Sequence, residues 1–167
     1  MAGPARHPRW VRRLLGEAGP AAVVDAIARA ERATSGEIRV HLERRLPRRA
    51  AGDPLRRARE VFAALGMTAT AARNGVLIYL AVDDRRLAVV GDEGIHARAG
   101  DAAWARVRDL MVERLRAGRV LDALLAGIEE VGRVLAAHFP RRPADVDELP
   151  DDLSVGDGAS ADDRAPG

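Results

Sequence analysis

The most constraining feature of this sequence is the apolar run at residues 75–82, which contains no charged side chain. Continuous apolar character of this length is typical of a strand that is covered on both faces of a sheet, whereas a half-exposed strand alternates. A polar break, Asp83-Asp84-Arg85, separates this run from a second apolar segment at residues 86–91. The first segment is predicted to lie centrally in a sheet. Because aspartate is a favoured turn residue, the second segment is predicted to return antiparallel to it as a hairpin.

The chain before the hairpin predicts a helix, a strand and a second helix. Pro20 opens an alanine-rich helical stretch that ends near Gly36. Residues 37–43 then alternate strictly between polar and apolar side chains, which predicts a half-exposed strand with His41 on its solvent-facing side. The pair Asp53-Pro54 marks the start of the next helix, at residues 53–65.

Two longer helices are predicted after the hairpin, because apolar residues recur at helical spacing up to residue 135. The helix at 53–65 gives the first and second strands the connection that parallel strands need. The predicted fold class is therefore α/β, a three-layer α/β/α sandwich with a small mixed sheet, Rossmann-like in appearance, with helices on both faces.

At 167 residues the chain is predicted to form one domain, at 20–139, preceded by a basic N-terminal arm at 1–19. Residues 140–167 hold eight acidic residues and few apolar ones, and we expect this acidic tail to be disordered. The sequence has no cysteine, which excludes disulfides and thiolate metal sites. Its apolar runs are much shorter than the roughly 20 residues that a membrane helix needs. A soluble, cytoplasmic protein without a membrane partner is expected, and the pattern identifies neither a protein partner nor an oligomeric state.

Polar residues gather at both ends of the predicted sheet. Carboxylate and amide oxygens are the ligands that Ca²⁺ and Mg²⁺ prefer, so either end is a candidate divalent-metal site, with no organic cofactor. The first choice lies where the first two strands begin and the third ends, and the second choice is the hairpin turn, where turn chemistry is the simpler explanation. The first-choice ligands are Glu37, Asn74, Asp92 and Glu93, and the second-choice ligands are Asp83 and Asp84.

Nucleophilic catalysis has little support in the sequence, because none of its serines (Ser35, Ser154 and Ser160) lies in a nucleophile elbow. His96 follows Asp92 and Glu93 closely enough to be an acid–base or metal-ligand candidate. The four histidines show no metal-ligand spacing.

All 27 basic residues are arginine, and seven of them lie between residues 43 and 59. A basic surface of this kind could bind the phosphates of a nucleic acid. No aromatic residues interleave with it for base stacking, so a solvated surface is the competing interpretation. The candidate nucleic-acid contacts are Arg44, Arg45, Arg48 and Arg49.

Three motifs in sequence order resemble the TPM domain, a family named after a thylakoid acid phosphatase and related founding proteins. They are residues 34–40, residues 73–79 with the 83–86 turn, and residues 91–95. The resemblance covers residues 20–139 and is strongest to a soluble, cytosolic branch without a signal peptide or membrane anchor. It departs from the membrane-type pattern at Arg73, where those members carry aspartate, and at residues 91–94, where they carry a glycine-tyrosine-glycine turn.

The resemblance implies an α/β/α sandwich and one of two activities. The leading hypothesis is a divalent-metal-binding regulatory or interaction module without catalysis. The alternative is a metal-dependent phosphomonoesterase, in which Asp92 or Glu93 holds a metal that activates water and Arg73 binds the phosphate. Nucleic-acid binding through the arginine surface is the third hypothesis.

Overall fold

The computed structural model describes residues 7–143, 149, 151 and 153–156. Five α-helices and four strands make up this part of the chain. In chain order they are α1 (Arg9–Leu15), α2 (Gly19–Glu31), β1 (Glu37–Glu43), a 3-10 turn (Arg48–Ala50), α3 (Pro54–Ala64), β2 (Gly75–Ala81), β3 (Arg86–Gly91), α4 (Glu93–Arg116), α5 (Val120–His138) and β4 (Leu153–Val155).

The sheet has the strand order β3-β2-β1-β4. β1 and β2 are parallel, with Glu37 opposite Gly75, and β2 and β3 are antiparallel, as the hairpin requires. β4 adds parallel to the outer edge of β1, with Ser154 opposite His41. The predicted mixed sheet is confirmed, and it has one strand more than the three that the sequence pattern indicated.

Helices cover both faces of the sheet, so the three-layer prediction is confirmed. α3 packs on one face, where Phe62 meets the small cluster around Leu77 and Tyr79. The apolar sides of α1, α2, α4 and α5 share a larger core with the other face, centred on residues such as Ile38 and Ile78. Among the described residues, no helix combines the length and apolar character that crossing a membrane requires.

The strand β1 is buried along its whole length, which corrects the expectation of a half-exposed strand. The alternation correctly separates its two faces, since Ile38, Val40 and Leu42 enter the larger core. The opposite face is also covered: Glu37 and Glu43 are each 1% exposed and His41 is 7% exposed. The placement of His41 at the surface was therefore wrong. The buried polar residues His41 and Glu43 on this face of β1 are hydrogen-bonded, which makes their burial possible.

Both terminal segments contain regular secondary structure that their composition did not predict. In the N-terminal arm, α1 buries Val11 and Leu15 against the larger core although its other side is rich in arginine. In the acidic tail, residues 153–155 form β4 instead of the expected disorder, and Leu153 is 3% exposed. A strand of three residues is stable here because β1 supplies its hydrogen bonds, continued by Gly156 N–H to the carbonyl of Leu42 at 2.8 Å. The remaining tail residues at 144–148, 150, 152 and 157–167 lie outside the described part of the chain.

Candidate functional site

The predicted first-choice site does come together in space, at the end of the sheet where β1 and β2 begin. Arg73 forms a two-pronged ion pair with Asp92, with Nε 2.7 Å from Oδ2 and Nη2 2.9 Å from Oδ1. Asp92 also caps α4 by accepting a hydrogen bond from the Glu93 N–H at 2.8 Å. The hydrogen bond with Asp92 raises the pKa of Arg73. The Asp92 carboxylate is thus committed to a cation of the protein and to a helix terminus.

The other predicted ligands at this end are arranged differently. Asn74 is 1% exposed, its Nδ2 donates to Ser35 Oγ at 3.3 Å, and its backbone carbonyl accepts from the Glu37 N–H at 3.3 Å. Glu93 points to solvent, with its side chain 84% exposed. The four residues therefore share one end of the sheet, but Asp92 and Glu93 do not join Glu37 in a cluster of acidic ligands. Their role as a metal site stays a prediction.

The glycines of the 91–94 motif have a packing role. A Cβ at Gly94 would lie 2.1 Å from the carbonyl oxygen of Ala72, and a Cβ at Gly91 would lie 2.4 Å from the Trp104 ring. No side chain larger than hydrogen fits at either position. The spacing of this motif is therefore explained by the close approach of β3 and α4 to their neighbours.

The second-choice acids at the hairpin are used for structure. Asp83 lies 3.4 Å from the Arg44 guanidinium and 3.8 Å from that of Arg45. Asp84 accepts a hydrogen bond from the Leu46 N–H at 2.6 Å. Together they hold the loop after β1 against the hairpin. Because Asp83 faces two of the four candidate nucleic-acid contacts, it also offsets part of their charge.

A cluster of three carboxylates was not predicted from the sequence. Glu31 at the end of α2, Glu37 at the start of β1 and Asp151 before β4 place ligand oxygens within 4.8 Å of one another. We call these residues the acidic cluster. It is the one such group of three that the described residues contain. Glu31 and Asp151 are 120 positions apart in the chain, so no local pattern could have revealed it.

Glu31 is one of the two buried members of the acidic cluster. It is 2% exposed, and its Oε1 accepts a hydrogen bond from the Ile38 N–H at 2.8 Å. Its Oε2 is buried and meets no N–H donor among the described residues. Burial, followed by the interaction with Asp151, raises the pKa of Glu31 from 4.5 to about 10. The carboxyl therefore holds a proton at neutral pH unless a cation replaces it.

A second polar network surrounds Glu43 at the other end of β1. The Tyr79 hydroxyl donates to Oε2 at 2.7 Å, and Arg57 donates to both carboxylate oxygens. Burial opposes ionisation of Glu43, but the hydrogen bonds from His41, Arg57 and Tyr79 outweigh it and lower the pKa of Glu43 to about 2. Glu43 is consequently a buried anion that is fully compensated by its neighbours.

The network continues from Glu43 to the tail strand. His41 Nε2 lies 3.1 Å from Glu43 Oε1, and His41 Nδ1 lies 2.8 Å from Ser154 Oγ. An ionised carboxylate accepts hydrogen bonds, so Nε2 carries a proton and donates it to Glu43, while Nδ1 is hydrogen-bonded to the serine hydroxyl. Serine hydrolases use the same order of groups. Here the Glu43 charge is already balanced by Arg57, and the His41 ring stacks on Tyr79 with centroids 6.0 Å apart. The arrangement therefore fastens β4 to the sheet.

The candidate nucleic-acid contacts are not one free cationic surface. Arg49 Nε lies 3.2 Å from Glu60, which also binds Arg57 at 3.1 Å. Arg48 is exposed. With Asp83 beside Arg44 and Arg45, carboxylates face three of the four predicted contacts. Nucleic-acid binding here stays a prediction.

Comparison with known proteins agrees with this architecture. The TPM domain model matches residues 12–134. The chain is similar to the BA42 protein of the psychrophilic bacterium Bizionia argentinensis, whose NMR structure aligns with 38% identity and a TM-score of 0.78 over 93% of this chain and 100% of that one. The N-terminal domain of the cg2496 protein from Corynebacterium glutamicum aligns with 16% identity and a TM-score of 0.50 over 81% of this chain and 85% of that one, which concerns the fold alone. No curated protein matches. The chain belongs to the TPM domain family.

Proposed function

We propose that this TPM domain binds a divalent cation, Ca²⁺ or Mg²⁺, at the acidic cluster and serves as a regulatory or interaction module without catalysis. The proposal keeps Glu37 from the predicted site and replaces Asn74, Asp92 and Glu93 with Glu31 and Asp151. The observation that carries it is the pair of buried carboxylates, 2% and 1% exposed, with a third acid within ligand distance.

The energetics of burial support a cation at this position. A buried carboxylate without a compensating charge is costly, by several kcal/mol per ion. Glu43 is compensated by Arg57, whereas no arginine of the described residues forms an ion pair with the Glu31 carboxylate. A proton or a metal ion must fill that role at Glu31. Ca²⁺ and Mg²⁺ are hard cations that take carboxylate oxygens and complete their coordination with water.

Metal binding at the acidic cluster would join three separate parts of the fold. Glu31 ends α2, Glu37 begins β1, and Asp151 lies two residues before β4. A cation bound by all three would tie the tail strand to the body of the domain. This connection is the kind of effect through which a metal-binding module regulates contacts with a partner protein.

The phosphomonoesterase alternative has less support from the geometry. It needs Arg73 for the phosphate and Asp92 or Glu93 for a metal, yet the Arg73 and Asp92 side chains bind each other at 2.7 Å and 2.9 Å. Phosphate binding by Arg73 or metal binding by Asp92 would first have to break this ion pair, and the Glu93 side chain is 84% exposed to solvent.

Calorimetric titration with Ca²⁺ and Mg²⁺ tests the proposal. Asp151→Asn removes one ligand charge at the tail, and Asp92→Asn is the matched control because it removes the same charge from the site predicted from the sequence. We expect Asp151→Asn to weaken metal binding by about tenfold or more, a change of about 1.4 kcal/mol, while Asp92→Asn leaves it unchanged. Loss of binding in Asp92→Asn alone would place the metal at the other site. An unmodified protein that binds neither ion at millimolar concentration would refute metal binding altogether.

A further inference from the structure

The outer edge of β3 is a second feature that the metal proposal does not use. β3 is the edge strand on the side of the sheet opposite β4. The Asp92 N–H donates to the carbonyl of Gly75 at 2.9 Å, so these two residues form a hydrogen-bonded pair that sets which residues of β3 bond to β2. In an antiparallel ladder, alternate residues bond to the neighbouring strand. The backbone groups of Leu87, Val89 and Gly91 therefore face away from β2, toward the free edge.

A groove of about 460 Å³ lies along this edge, between α3 and α4. Its floor includes Val89, Val90 and Gly91 of β3. Leu55 and Arg59 line it from α3, and Trp104 and Arg108 line it from α4. An added strand would send alternate side chains toward these two helices, because successive residues of a strand point to opposite faces. Each helix offers that strand one apolar residue and one arginine.

The charge of the groove favours an acidic occupant. Neither Arg59 nor Arg108 forms an ion pair with a residue in the described part of the chain, whereas Arg57 of α3 and Arg49 of the preceding loop do. Among the described residues, Asp101 is the one carboxylate that lines the groove, and its side chain is 98% exposed and lies 3.5 Å from His96. Two arginines are therefore available to an anionic side chain in the groove.

The aromatic wall of the groove is fixed in place. Trp104 is 3% exposed, and its Nε1–H donates to His96 Nδ1 at 3.0 Å. Its ring lies so close to Gly91 that a Cβ there would clash. A rigid wall of this kind lowers the entropy cost of binding, since no side chain has to be ordered when a ligand arrives.

We propose that the β3 edge binds an acidic peptide segment of a partner protein as an additional strand. The peptide backbone pairs with Leu87, Val89 and Gly91, and acidic side chains on the two faces of the peptide meet Arg59 and Arg108. Strand addition to a sheet edge is an established mode of peptide recognition, in which backbone hydrogen bonds provide affinity and alternate side chains provide specificity. The site lies at the far edge of the sheet from the acidic cluster and does not depend on metal binding.

The test uses the synthetic peptide acetyl-Thr-Val-Glu-Glu-Val-Thr-amide, which places one glutamate and one valine on each face of an extended strand. We expect NMR amide shifts at Leu87, Val89 and Gly91, together with a shift of the Trp104 indole N–H. Binding should weaken as salt concentration rises, because the arginines are at the surface. The same peptide with glutamine in place of both glutamates is the matched ligand control and should bind about tenfold more weakly.

Charge reversal in the protein provides the second arm of the test. The double variant Arg59→Glu with Arg108→Glu should lose at least about tenfold in affinity for the acidic peptide. Arg56→Glu is the matched control, because this exposed arginine lies on α3 outside the groove, and its affinity should stay within about twofold. Equal affinity in the double variant and the unmodified protein would overturn the proposal, as would shifts confined to β1 and β4 or no shifts at millimolar peptide. Concentration-dependent changes at the same amides without peptide would assign the edge to a second copy of the chain and also overturn it.

Discussion

Replacing Glu31 with glutamine is expected to remove most of the pH dependence of unfolding that this buried carboxyl causes. The folded protein holds the proton on Glu31 because burial and Asp151 raise its pKa to about 10, while the unfolded chain releases it above pH 4.5. The folded state then binds more protons than the unfolded state, so stability falls as pH rises through this window. One retained proton corresponds to a slope of about 1.4 kcal/mol per pH unit, or about 2.7 kcal/mol between pH 6 and pH 8.

The variant Glu31→Gln keeps the shape of the side chain and its neutral state. Its amide oxygen can still accept from the Ile38 N–H, and its amide group can donate to Asp151. Its unfolding free energy should therefore lose the contribution of Glu31 to the pH slope, while every other titrating group contributes as before. Glu17→Gln is the control, since the Glu17 side chain is 85% exposed.

The measurement is urea unfolding at pH 6, 7 and 8 in a chelator, at constant ionic strength, followed by circular dichroism. The quantity compared is the difference in slope between the unmodified protein and Glu31→Gln. Equal slopes in the two proteins would refute the assignment of a retained proton to Glu31. Repeating the series with millimolar Ca²⁺ should flatten the slope of the unmodified protein, because metal binding requires a deprotonated ligand and releases that proton.

Two further substitutions test the packing and the second polar network. Tyr79→Phe removes the 2.7 Å hydrogen bond to ionised Glu43 and should cost about 1.5–3 kcal/mol in urea unfolding. Because the pKa of Glu43 is lowered to about 2, the stability that ionised Glu43 contributes is present above pH 4.5 and is lost as pH falls toward 2. On acidification, Tyr79→Phe should therefore unfold at a higher pH than the unmodified protein does. A loss of unfolding free energy below about 0.5 kcal/mol would contradict a buried charged acceptor. Gly94→Ala places a Cβ 2.1 Å from the carbonyl oxygen of Ala72 and should lower the free energy of unfolding by about 1–3 kcal/mol, measured as a lower Tm. An unchanged Tm would show that the backbone there can move to make room.

The central fold follows from local sequence patterns. The uninterrupted apolar run at β2 predicts a strand covered on both faces, and every residue of Gly75–Ala81 is buried. The helix between β1 and β2 makes them parallel, and the aspartate turn makes β3 antiparallel. The same patterns located Arg73, Asn74 and Asp92 at one end of the sheet, because the ends of adjacent strands must meet.

The roles of polar residues did not follow from those patterns. The 91–94 motif suggested a ligand site, yet its glycines serve close packing and Asp92 pairs with Arg73. The polar side of β1 suggested exposure, but Tyr79 and Arg57 bury Glu43 by binding it. An alternating strand pattern predicts that its polar residues face solvent. The partners that allow such residues to be buried are distant in sequence, so the pattern does not reveal them.

The sequence by itself determined β1 to β3, the helices α2 to α5 and their layering, because apolar periodicity depends only on neighbouring residues. It also determined that β2, the first strand of the hairpin, lies inside the sheet. Tertiary structure alone decided that Glu31, Glu37 and Asp151 meet, that Ser154 reaches His41, and that the tail supplies a fourth strand. Each of these depends on contacts between residues as many as 120 positions apart, and their burial arises only when the chain has folded around them.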